Sequence, residues 1–183
     1  RDGRSIASGD TGNGLKIWNV AKRAVRLAWN GNHAVRGVAW SPDDARLATA
    51  DEGGFVRFWD TATGKELGGA PPKQEQELSA VAWSPDGARL ATTAADGALR
   101  VWSAADGKAL PGFTPAPSDG RCLAWSPDGK RLAVGTQDEK LLLVDAASGE
   151  VVFTRKVHES PVWGLSWSAD GKRIATGGMD KAV

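Results

Sequence analysis

Residues 81–88 read VAWSPDGA, and the phrase returns as VAWSPDDA at 38–45, LAWSPDGK at 123–130 and LSWSADGK at 165–172. Its tryptophans, Trp40, Trp83, Trp125 and Trp167, follow one another at 43, 42 and 42 residues. A second column lies 19 residues after the octet tryptophan: Trp59, Trp102 and Val144, with Trp18 in the same place in an earlier unit. Seven of the nine tryptophans therefore belong to two recurring positions. Self-similarity at this period means one supersecondary unit that buries its faces by stacking on copies of itself.

Within a unit, short alternating segments are separated by turn residues, the pattern of antiparallel strands joined by hairpins, and no helical spacing appears. The octet ends a first strand in a tight turn, where Pro85 presets φ and Gly87 permits a positive φ. After a second strand such as ARLATT comes a hairpin at Gly12-Asn13, Gly53-Gly54, Asp96-Gly97 or Asp138-Glu139. A third strand such as VRFW leads to a turn with Gly64, Gly107 and Gly149 in one column, and then to a looser fourth strand such as EVVFTRKV. Arg23 replaces the glycine in the first unit, so its turn is expected to differ. Four short strands in about 42 residues match one blade of a β-propeller, and the expected fold is all-β, with about four blades plus partial terminal ones. Each indole offers roughly 150–250 Å² of surface for the stacking.

With FWD at 58–60, the WSPDG octets and His158 nine residues before Trp167, the chain resembles the WD40-repeat β-propellers over essentially its whole length. It resembles more weakly the TolB-like propeller repeats, which share the phrase SPDGKRLA found at 126–133. The WD40 resemblance implies a bracing tetrad of His, Ser or Thr, Asp and Trp in each blade. Its hairpin aspartate is matched by Asp96, Asp138 and Asp180, and its third-strand tryptophan by Trp18, Trp59 and Trp102. Its histidine is matched by His158, and its hydroxyl, sought two residues before the aspartate, by Thr136. No blade collects all four, so stability is expected to rest on packing.

The repeat divides the chain into a partial blade at 1–34, blades at 35–77, 78–119 and 120–161, and a partial blade at 162–183. Four and a fraction units would leave open faces, which suggests either a piece of a longer array or a homo-oligomer in which two copies complete a ring.

Composition narrows the functional classes. With 23 Lys+Arg against 22 Asp+Glu, no global field argues for nucleic acid or an anionic membrane surface. No apolar run approaches the roughly 20 residues of a membrane span. The one cysteine, Cys122, fits a reducing compartment, so a cytoplasmic location is expected. His33 and His158 lack companions at metal-ligand spacing, the run from Asp10 lacks the calcium-loop and phosphate-loop patterns, and no nucleophile elbow frames a serine. No metal, no cofactor and no enzymatic activity are expected. Trp29 falls outside both columns and has no assigned role.

One column varies between constant neighbours: Arg36, Ser79, Arg121 and Trp163, each four residues before the octet tryptophan. The next column, Gly37, Ala80, Cys122 and Gly164, is uniformly small, as a crowded contact requires. The family resemblance puts the entrance of the first strand near one mouth of the central channel, and Trp and Arg are the residues most enriched at binding hot spots. These four are the candidate partner contacts. The proline-bearing stretches GGAPPKQEQE from Gly68 and PGFTPAPSDG from Pro111 are candidate recognition loops. The expected function is a non-enzymatic scaffold that binds protein or peptide. The alternatives are the sensor or autoinhibitory part of a larger signalling protein, and a self-assembling propeller segment without a ligand.

Overall fold

The computed structural model describes residues 3–113 and 119–182. Among them there is no helix, and the strands form five antiparallel sheets in chain order. The first contains β1 (Ser5–Gly9), β2 (Gly14–Asn19) and β3 (Ala24–Asn30). The second contains β4 (Val35–Trp40), β5 (Arg46–Asp51), β6 (Val56–Asp60) and β7 (Glu66–Leu67). The third contains β8 (Leu78–Trp83), β9 (Arg89–Ala94) and β10 (Leu99–Ser103). The fourth contains β11 (Gly120–Trp125), β12 (Arg131–Thr136), β13 (Lys140–Asp145) and β14 (Val151–Lys156). The last contains β15 (Val162–Trp167) and β16 (Ile174–Gly178). The octet strands β4, β8, β11 and β15 pack side by side as inner strands, and each sheet is one blade.

The core lies between blades. Leu15, Ile17 and Leu47 with Trp29, Trp40 and Trp59 fill the first junction, and Phe58, Leu78, Trp83, Leu90 and Trp102 the second. Leu99, Val101, Leu123, Trp125 and Leu132 fill the third. Two of the octet tryptophans also reach backwards: Trp125 Nε1 donates to the Ala82 carbonyl at 3.2 Å and Trp167 Nε1 to that of Ala124 at 3.3 Å, each one blade earlier. Arg89 from that earlier blade lies over the Trp125 ring at 4.6 Å, and Arg46 likewise over Trp83 at 4.7 Å. Trp29 reaches the opposite way, from an outer strand into the next blade, with its Nε1 on the Gly64 carbonyl and its ring 5.1 Å from Trp59.

The rest of the octet is a turn clasp. The Ser41 hydroxyl donates to Asp43 and accepts the Arg46 N–H at 2.9 Å, while the Asp43 carboxylate accepts the Ala45 N–H at 3.1 Å. The same bonds recur at Ser84 and Asp86, at Ser126 and Asp128, and at Ser168 and Asp170. A serine and an aspartate two residues apart thus close the turn from both sides, which is why the phrase recurs with the blade.

Fourth strands differ in length for a chemical reason. β3 and β14 are full strands, β7 has two residues, and the third blade has only a bridge between Trp102 and Ala109. Pro71 and Pro72 follow β7 and Pro111 follows the bridge, and proline offers no N–H to a ladder. The remainder of the second proline-bearing loop, at 114–118, lies outside the described residues. Arg23 takes φ 49°, in the left-handed region like Gly64 at 77°, but its N–H bonds the Val20 carbonyl three residues back, whereas that of Gly64 bonds Asp60 four back.

Candidate functional site: the channel mouth

Each inner strand breaks register with its neighbour at one residue. Val35 pairs with Asp51 but Gly37 with Ala50, and equivalent shifts fall at 78/80, 120/122 and 162/164. The supernumerary residues are Arg36, Ser79, Arg121 and Trp163, the variable column. A bulge residue is left out of the ladder and its side chain is re-aimed. All four line one cleft of about 240 Å³, with Glu77, Leu78 and Ala95. The small column explains how the strands come so close: a Cβ on Gly37 would lie 3.0 Å from the Ala80 backbone.

The two bulge arginines pair with residues leaving the second strand, 16 positions on. Arg36 forms an ion pair with Glu52, and Arg121 Nε donates to Gln137 Oε1 at 2.7 Å. Arg121 also lies 3.8 Å from Asp119, and its guanidinium stands 5.4 Å from the centre of the Trp163 ring. Trp163 is 51% exposed, and Met179, 16 positions further on, is 68% exposed. Sequence reasoning missed Glu52, Ala95, Gln137 and Met179. Their signal was available: they form another varying column, 12 residues after the octet tryptophan.

Residues 25–60 and 71–103 match the model of the WD domain, G-beta repeat, and residues 116–170 that of the anaphase-promoting complex subunit 4 WD40 domain. The chain belongs to the WD40-repeat β-propellers. It is 67% identical over 30 residues to the uncharacterized WD repeat-containing protein alr3466 of Nostoc sp., a stretch that is 16% of this chain and 2% of that protein. It is 36% identical over 72 residues to the B-type cell cycle switch protein ccs52B of Medicago truncatula, covering 36% of this chain and 14% of that protein. In fold it is similar to the Cps50 (Swd1) β-propeller domain of Myceliophteria thermophila, with a TM-score of 0.80 and 18% identity over 97% of this chain and 61% of that domain. WD40 propellers generally mediate protein–protein interaction as non-enzymatic scaffolds.

The WD40 tetrad takes a form that corrects the sequence reading. The hydroxyl lies four residues before the hairpin position, at Ser8, Thr49, Thr92 and Thr176, with Val134 in the same column. Trp18, Trp59 and Trp102 donate to Ser8, Thr49 and Thr92 at 2.9, 3.0 and 3.0 Å. Thr136 is not in that column. In register Leu132 stands opposite Val144, so Thr136 has already reached the hairpin, where its hydroxyl accepts the Lys140 N–H at 3.1 Å. It does there what the Asp51 carboxylate does for Phe55. Buried His158 places Nδ1 3.0 Å from Asp180 and Nε2 3.0 Å from Thr176. Asp96 instead holds Arg100 at 3.0 Å, and Asp138 holds Lys140 at 2.6 Å, each within its own hairpin. His33 stacks on Phe55 with ring centres 5.9 Å apart.

Proposed function

We propose that this chain is a protein-interaction module whose channel mouth receives a segment of a protein or peptide, with Arg36, Ser79, Arg121 and Trp163 as its contacts. The observation that carries this reading is the coincidence of bulge and variability. The same four residues leave the strand ladder, differ in chemistry and face one cleft. The blade below them is repetitive and rigid, so docking orders little on this side of the interface, which preserves affinity. Trp163 supplies an exposed aromatic anchor, and the guanidinium of Arg121 beside it can form charge-assisted hydrogen bonds to a carboxylate or carbonyl.

The test is selection of binding peptides from a displayed random library on the intact chain. Peptides so selected should lose at least tenfold in affinity on Arg121→Ala and on Trp163→Ala, and keep it on Lys22→Ala, which lies on an outer turn. Selected peptides indifferent to both mouth substitutions would remove the reading.

A further inference from the structure

A second cleft, of about 190 Å³, opens between the first two blades. Its occupancy can be read from the junction that follows. Gly31 and Gln74 are equivalent: each stands nine residues before its octet tryptophan, and each donates its N–H to the hairpin of the preceding blade, Gly31 to Asn13 and Gln74 to Gly54. The Gln74 side chain is enclosed, 7% exposed, with its carboxamide shut away from water. At the first junction glycine supplies no side chain, and a Cβ there would find its nearest neighbour 3.6 Å away. Gly31 thus lines the first cleft at the chain position where the second junction carries an enclosed glutamine side chain.

The lining suits a carboxamide. Trp29 and Trp59 form an aromatic wall, and both indole N–H groups are already committed, to Gly64 and Thr49. The wall therefore offers apolar contact and does not compete for polar groups. Acceptors for an amide NH₂ come from Asp51, which is 5% exposed, and from Glu66. Donors for an amide oxygen come from Asn13 and Asn32, whose side chains bond no other protein group among the described residues. Arg57 lies 3.7 Å from Asp51 and 3.1 Å from Glu66. That pairing disfavours a cationic guest, and the two carboxylates disfavour an anionic one.

We propose that this cleft receives the side chain of a glutamine or asparagine from a bound protein segment. The inference rests on the reading of the chain as a protein-interaction module, and it adds a specificity pocket beside the mouth, since Val35 lines one cleft and Arg36 the other. A carboxamide there would complete donors and acceptors that Gln74 lacks at its own junction.

The probe is N-acetyl-glutamine methylamide, titrated into the ¹⁵N-labelled chain while the indole N–H signals are followed. Saturable shifts are expected at Trp29 and Trp59, at least tenfold weaker in affinity for Gly31→Gln, severalfold weaker for Asn32→Ala, and absent with the glutamate analogue. Unchanged signals from the other indoles report that Gly31→Gln remains folded. No saturable shift, an equal response in Gly31→Gln, or a response to methyl glucoside and not to the amide would overturn the proposal. Arg121→Ala separates this from the mouth: it leaves the amide response intact, so either site can fail alone.

Discussion

Val134 stands to Val144 in the fourth blade as Thr92 stands to Trp102 in the third. In the third blade the indole donates to the hydroxyl at 3.0 Å, and where the donor becomes valine the acceptor becomes valine too. Both valines are buried, 0% and 2% exposed, so either polar partner alone would be left unsatisfied in the core. The bond and its apolar substitute are two solutions to one packing problem.

This predicts a graded series. Thr92→Val leaves a buried indole N–H without its acceptor and should cost about 1–3 kcal/mol, because Trp102 is only 5% exposed. Thr49→Val, at a part-buried bond, should cost about 0.5–1.5 kcal/mol. Ser8→Ala, at an exposed one, should stay within about 0.5 kcal/mol. Urea unfolding of the three variants checks the order, and equal losses would show that burial does not set the cost.

The turn clasps make stability depend on acid. The serine hydroxyl first, and then the backbone N–H two residues on, hold the carboxyls of Asp43, Asp86, Asp128 and Asp170 below the ordinary carboxylate range. A folded pKa below the unfolded one gives stabilisation that is present above the unfolded value, near 4, and is lost as pH falls through the folded values. Unfolding free energy should therefore decline below about pH 4. Asn in place of all four aspartates should flatten that slope while lowering stability at pH 7. An unchanged acid slope in the quadruple variant would assign the effect to other carboxylates.

Cys122 gives a reporter of the junction between the fourth and fifth blades. Burial pushes its thiol up to about 11, and its sulfur lies 3.4 Å from the Val162 carbonyl on the next inner strand. With the thiolate scarce and the side chain half-buried, a disulfide-exchange reagent at pH 8 should label it slowly, and fast only as β11 and β15 separate. The labelling rate should rise with urea in step with unfolding, and prompt labelling of the native chain would contradict the packed junction.

The architecture was legible because two tryptophan columns and a turn phrase repeat in register, and a period survives differences in loop length. The candidate site was half legible. Variation at Arg36, Ser79, Arg121 and Trp163 was visible, but a bulge is a property of two strands, and a single strand's alternation does not show that one residue has no opposite number. Thr136 was misplaced for a related reason: two steps along a strand keep a residue on the same face, so the pattern of alternation accepted it, while only the register with β13 shows that it has passed the tryptophan position.

The last prediction concerns the one octet that ends its turn without glycine. Asp44 sits at φ 59°, in the column where Gly87, Gly129 and Gly171 take 71°, 69° and 68°. The left-handed region costs an L-residue roughly 1–2 kcal/mol, partly offset because glycine has more backbone freedom to lose on folding, by about 0.4–1 kcal/mol. Asp44→Gly should therefore stabilise the chain by up to about 1 kcal/mol, a gain reduced by loss of the interaction that the Asp44 residue makes. The Thr61 hydroxyl that donates to the Asp44 carbonyl at 2.7 Å uses backbone and survives the change. The converse, Gly87→Ala, meets only ordinary contacts near 3.5 Å with Pro42, so its loss, of about 1 kcal/mol, is conformational and not steric. Thermal or urea unfolding of the two variants should move in opposite directions, and movement in the same direction would mean that the turn does not select for backbone freedom at this corner.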